Sequence, residues 1–153
     1  MVIAKPPIYF HFIVPPFYFP QRGLIKTFLL SIFKKHNKTV QALNYIFCSN
    51  EYLLPLNQKH LQHNYYTDVI AFELNEKGRP LMADIYISVE MARQNAQDFK
   101  VSTTNEVLRL MIHGTLHLCG YKDKKTKEKE EIKAKEDYYL HKYSFHVKQI
   151  LSE

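Results

Sequence analysis

Hydrophobic residues change their spacing several times along this 153-residue chain, and each change marks an element. Ile8 to Val14 is aromatic and β-branched and is closed by Pro15 and Pro16, which predicts a first strand. From Gly23 to His36 apolar residues fall at Leu24, Ile25, Phe28, Leu29, Ile32 and Phe33, the spacing of one helix face, with basic residues opposite. Val40 to Phe47 alternates loosely and predicts a second strand. Asn50 to Gln62 has a helical pattern, with Asn50 as a candidate cap and Pro55 as a point of distortion. A polar loop, Gln62 to Tyr66, carries His63. Thr67 to Leu74 and Leu81 to Ser88 predict two more strands, and the turn residues of Asn75 to Pro80 join them as a hairpin. Ser88 is placed to cap a helix through Phe99, and Thr103 and Glu106 have the spacing of a capping box that opens the next helix. Lys124 to Lys135 is rich in Lys and Glu and runs into Asp137 to Val147. Ile132, Tyr139, Leu140 and Tyr143 make this a solvated helix, frayed at its start, rather than a disordered tail.

The resulting order is β-α-β-α-β-β-α-α-α. It predicts an α+β fold with a mixed four-stranded sheet, helices packed on it, and a single domain over residues 1–153. At 46% apolar residues the chain can fill a core of that size. No apolar run approaches the roughly 18 residues that a membrane helix needs. Pro6, Pro7, Pro15 and Pro16 interrupt the N-terminal apolar stretch, so no signal peptide is expected. Two cysteines, Cys48 and Cys119, are too few for a secreted disulfide framework, which points to a reducing cytoplasm.

Candidate chemistry gathers in the helix that Val107, Leu108, Leu110, Met111, Ile112, Leu116 and Leu118 make apolar nearly all round, and which is therefore buried. His113 and His117 sit in it at i and i+4, on one face. Gly120 lies one turn on and suits a helix end, and Asp123 follows as the chain returns. Two imidazoles and a carboxylate make three protein ligands with one position open, the plan of a catalytic zinc site. The pattern His-x3-His-x2-Gly-x2-Asp has metzincin spacing with Asp in the last ligand's place. The Glu that serves such peptidases as general base is replaced by Gly114, which disfavours peptide hydrolysis. Cys119 points away from the histidine face and is not read as a ligand. Asp68 is read as a structural partner. Asp84 is open between that role and orienting a ligand histidine.

His-Gly-x-Leu-His-Leu-x-Gly-Tyr, from His113 to Tyr121, closely resembles the signature of the YbeY family, bacterial endoribonucleases and rRNA maturation factors with zinc and a zincin-like fold. Two softer matches are Thr67-Asp68-Val69-Ile70-Ala71-Phe72 and Ala83-Asp84-Ile85, the latter with Ala where the family has Gly. The family motif usually ends Gly-Tyr-Asp-His; here Asp123 takes the place of the third histidine. A further departure is Leu61, which stands where the family commonly carries an Arg. The resemblance implies one Zn²⁺ held by His113, His117 and Asp123. It also implies a single-strand-specific, metal-dependent endoribonuclease of rRNA processing, acting on RNA at the ribosome or its small subunit. The alternative is a ribosome-associated RNA-binding factor whose zinc is mainly structural. No membrane or DNA partner is expected.

Charge adds one thing. Residues 1–50 hold Lys5, Arg22, Lys26, Lys34, Lys35 and Lys38 and no acidic residue, so this third carries the chain's whole formal charge of +6. Such asymmetry either solvates an outer helix face or meets a polyanion. On the second reading Arg22, Lys26, Lys34 and Lys35 are the candidate nucleic-acid-binding residues.

Overall fold

A computed structural model of the chain describes residues 5–62 and 65–152; His63 lies outside them. The elements are β1 (Ile8–Phe12), α1 (Arg22–Lys35), β2 (Val40–Cys48), α2 (Asn50–Leu61), β3 (Val69–Glu73), β4 (Leu81–Ser88), α3 (Val89–Phe99), α4 (Thr103–Leu118) and α5 (Thr126–Ser152). They form the expected α+β fold around one four-stranded sheet of order β1-β2-β4-β3. β1 and β4 run parallel to β2, while β3 pairs antiparallel with β4 through the hairpin, so the sheet is mixed.

Strand alternation decides what each face meets. Leu43, Tyr45 and Phe47 of β2 and Ala83, Ile85 and Ile87 of β4 point into the main core, where α1, α3, α4 and α5 supply Phe28, Ile32, Phe33, Ala92, Met111, Ile112, Ile132 and Tyr139. The opposite face is covered only in part. There Leu53 of α2 packs with Cys48 and Ile70 in a small second cluster. A polar pair crosses the main core: buried Tyr45 donates its hydroxyl hydrogen to Thr115 Oγ1 at 2.6 Å, and Thr115 in turn donates to the Met111 carbonyl at 2.8 Å. That pair ties β2 to the middle of α4, between the two histidines.

Several element ends differ from the sequence expectation. The cap of α2 is Ser49, whose side chain accepts from the Tyr52 amide, and Asn50 instead accepts from Ser88. The cap of α4 is Ser102, accepting from the Asn105 amide at 3.1 Å. The capping box fails because Glu106 is drawn into the core, 1% exposed, by Arg109. α5 starts at Thr126. Among the described residues no helix is long and apolar enough to cross a membrane.

Candidate metal centre

α4 can lie flat on the sheet because Gly114 has no side chain. A Cβ there would stand 2.7 Å from Ile85 Cγ2 and 3.4 Å from Val69 Cγ2. Its lack of a side chain brings the flanking histidines down beside β3. At the other end, Gly120 adopts φ 106, a conformation open mainly to glycine. The Gly120 amide then donates to the His117 carbonyl and the Tyr121 amide to the Leu116 carbonyl, each at 3.0 Å, a Schellman turn that reverses the chain and returns Asp123 to the histidines.

Three donor atoms converge. His113 Nε2 and His117 Nε2 are 2.9 Å apart, and Asp123 Oδ2 stands 3.3 Å from the first and 3.2 Å from the second. The far nitrogen of each ring fixes its tautomer. His117 Nδ1 lies 2.9 Å from the Tyr121 carbonyl oxygen, which can only accept, so this nitrogen carries the hydrogen. His113 Nδ1 donates to Glu136 Oε2 at 2.6 Å. Both Nε2 atoms are then bare in the neutral rings, and they face each other and a carboxylate oxygen. Three lone pairs in one spot repel unless a proton or a metal cation lies among them. Tetrahedral zinc with bonds of about 2.0–2.2 Å sets its ligand atoms about 3.3–3.6 Å apart, and the spacings seen are only slightly tighter. The donor set fits a divalent ion, as the sequence spacing suggested.

A chain of buried charges backs the site. Glu136 accepts from Arg109 Nη1 at 2.6 Å, and Arg109 also donates through Nε to Glu106 Oε1 at 2.7 Å. Asn95 bridges Glu106 Oε2 at 3.0 Å and Asp68 Oδ2 at 3.1 Å. Burial disfavours the charged form of His113, but the hydrogen bond to Glu136 and the carboxylates of Glu136, Asp68 and Asp123 outweigh it and raise its pKa above the ordinary value. Burial likewise works against a charged Glu136, yet His113 and Arg109 hold its pKa below the ordinary value. Burial pushes the Cys119 thiol up to about 12, and Cys119 is not among the donor atoms that converge.

Glu136 and Arg109 escaped the sequence reading. An arginine inside an otherwise apolar helix, one turn before His113 and one turn after Glu106, was the available sign. Glu136 hides in a Lys/Glu run, but its spacing from Ile132, Tyr139 and Tyr143 places it on the buried stripe of α5. Asp68 accepts from a side chain, Asn95, and among the described residues it makes no ion pair with Lys or Arg. Asp84 accepts from Asn44, which pairs with His11, on the sheet face away from α4; it orients neither histidine.

The histidines and Asp123 open onto a cleft of about 540 Å³ that is also lined by Leu61 at the end of α2, by Thr67 to Ala71 along β3, and by Lys124. The four basic residues proposed for nucleic acid lie on α1, outside that lining. Arg22 sits 4.4 Å from the centre of the Phe12 ring and Lys26 4.9 Å from that of Phe10. Lys34 and Lys35 are exposed in the last turn of α1. The next residue, His36, has Nε2 3.2 Å from the Tyr121 hydroxyl, which joins that end of α1 to the loop bearing Asp123.

Comparison with known proteins agrees with this geometry. The family model described as Endoribonuclease YbeY matches residues 21–144. Proteins named Endoribonuclease YbeY from Cytophaga hutchinsonii and Flavobacterium psychrophilum are each 48% identical, over 78% of this chain and 84% and 83% of theirs. The solution structure of TM1509 from Thermotoga maritima superposes with a TM-score of 0.61 at 26% identity, over 93% of this chain and 92% of that one. A match of this extent, with the histidines, Gly120 and the β3 wall assembled as one site, makes the chain a member of the YbeY endoribonuclease family.

Proposed function

We propose that this chain is a zinc-dependent endoribonuclease that cuts single-stranded RNA in rRNA processing, at the ribosome or its small subunit, in the cytoplasm. The observation that carries the reading is the convergence of His113, His117 and Asp123 at the wall of an open cleft. Three ligands beside open space suit a catalytic ion better than a structural one, which is closed by four. A divalent ion held there supplies Lewis acidity toward a phosphoryl oxygen and makes water more acidic. His113 and His117 present bare Nε2 atoms to it, and Glu136 and the Tyr121 carbonyl keep those tautomers. β3 is the edge strand of the sheet among the described residues, and it lines the cleft where an extended substrate would lie. Peptide hydrolysis is disfavoured because position 114 has neither a carboxylate nor room for one. Metal analysis tests the reading: one zinc per chain in the wild type, and a substoichiometric amount in His117→Ala at equal zinc. Equal zinc in both would remove this centre.

Phosphodiester cleavage builds up negative charge, and cations beside the metal stabilise it. Leu61 brings none to the cleft, and Lys124 is the one Lys or Arg lining it among the described residues. Lys124 takes that role, and the RNA leads from it across the Tyr121 turn to Lys34 and Lys35. Arg22 and Lys26, held over aromatic rings, lie farther along the same helix and act as outer phosphate contacts. Replacing Lys34 and Lys35 by Gln flattens the salt dependence of RNA binding, by about 0.7 in log–log slope for each phosphate no longer neutralised. Lys124→Gln also lowers cleavage of bound RNA. An unchanged slope would leave the α1 lysines as plain solvating charges, and cleavage equal to wild type would exclude Lys124.

A further inference from the structure

Two different devices hold the paired rings. His117 is anchored locally, by the carbonyl of Tyr121 four residues on. His113 is anchored from another element: Glu136 belongs to α5, 23 residues away in sequence. Glu136 is only 3% exposed as a side chain, and both its oxygens are used, Oε2 by His113 and Oε1 by Arg109. Arg109 is gripped in turn by Glu106, 1% exposed. Neither carboxylate can turn away to water, so the direction of the His113 ring follows the position of α5. His113, Arg109, Glu136 and Ile132 line one cavity of about 530 Å³ that runs beside α4 and α5.

We propose that Glu136 is the positioning residue of the metal centre, and that docking of α5 and loading of the ion are one linked equilibrium. The inference rests on the metal reading of His113, His117 and Asp123. A hydrogen-bonded carboxylate orients a ligand imidazole, fixes its tautomer and makes Nε2 a better donor; losing such a partner costs about 10- to 100-fold in metal affinity. Because binding is reciprocal, an ion that requires His113 in this orientation must also favour the docked helix that supplies it. Glu106 provides the contrast. It is as buried as Glu136 and bonds the same arginine, but it does not touch the histidine.

The test uses the full chain and zinc alone, titrated in competition with a chromogenic chelator. Glu136→Gln should weaken zinc about 10- to 100-fold, and Glu136→Asp, too short to reach the ring, should do so comparably. Glu106→Gln should lower the thermal stability of the metal-free protein as Glu136→Gln does, but leave zinc affinity within about 3-fold of wild type, well short of that loss. In the wild type, zinc should slow amide exchange in α5 around Ile132 to Leu140, a measurement that does not depend on any variant folding. Equal zinc affinity in Glu136→Gln and wild type, equal losses of zinc affinity in the two Gln variants, or no change in α5 exchange would each overturn the inference. If wild-type protein binds and uses zinc but these results fail, the positioning role alone falls. If wild-type protein binds no zinc, the metal reading falls with it.

Discussion

Gly114→Ala lowers the stability of the protein by about 1–3 kcal/mol, although alanine is the better helix former by about 1 kcal/mol. The added methyl arrives 2.7 Å from Ile85 Cγ2 in a fully packed layer, and Val69 blocks retreat at 3.4 Å. Helix and sheet must part, and the part that moves carries both histidines. Gly114→Glu, which would restore the peptidase base, does not fold to a native state. Urea denaturation checks the first claim. A double variant with Ile85→Leu, which removes the β-branch facing the helix, should lose less than the sum of the single changes. A neutral or stabilising Gly114→Ala would show that α4 does not approach β4 this closely.

Arg109→Met is the costlier change, about 3–5 kcal/mol at neutral pH, because it leaves Glu106 and Glu136 buried without their shared cation. The pH dependence has a definite sign. The carboxyl of Glu136 is held below its ordinary value, burial opposing and the hydrogen bonds of His113 and Arg109 prevailing. Its contribution is therefore complete above the usual glutamate range and is lost as pH falls through the lowered value. Removing Arg109 takes away one of the two groups that hold it down. The deficit of Arg109→Met is then largest near pH 7 and shrinks as the medium is acidified toward the usual carboxylate range, about 4.3, because Glu136 of the variant takes up its proton before that of the wild type. Denaturation curves at pH 7.5 and 4 measure it. A deficit that is constant across that range would mean Glu136 does not depend on Arg109 for its charge.

The parts of the site that share one helix were readable from spacing. His113 and His117 at i and i+4 must lie on one face, and a glycine at position 120 announces the reversal that brings Asp123 back. The hairpin was readable too, because Asn75 to Pro80 are turn residues between two strands of the right length. What stayed hidden depends on partners far apart in sequence. Thr103 and Glu106 have capping-box spacing by local rules, but Glu106 is buried against Arg109 and the cap is Ser102. Asp84 could have pointed to either face until the register of β2 and β4 set it opposite Asn44, away from the histidines. Glu136 resembles its charged neighbours until α5 docks, and then it becomes the anchor of His113.

The most direct measurement is cleavage of a single-stranded rRNA fragment by protein freed of contaminating nuclease and stripped of metal. Wild-type protein should be inactive after stripping and regain cleavage when zinc is returned, while His117→Ala prepared in parallel should stay inactive at the same zinc. Cleavage that survives stripping, or His117→Ala cutting as fast as wild type, would contradict a metal centre built on His113, His117 and Asp123.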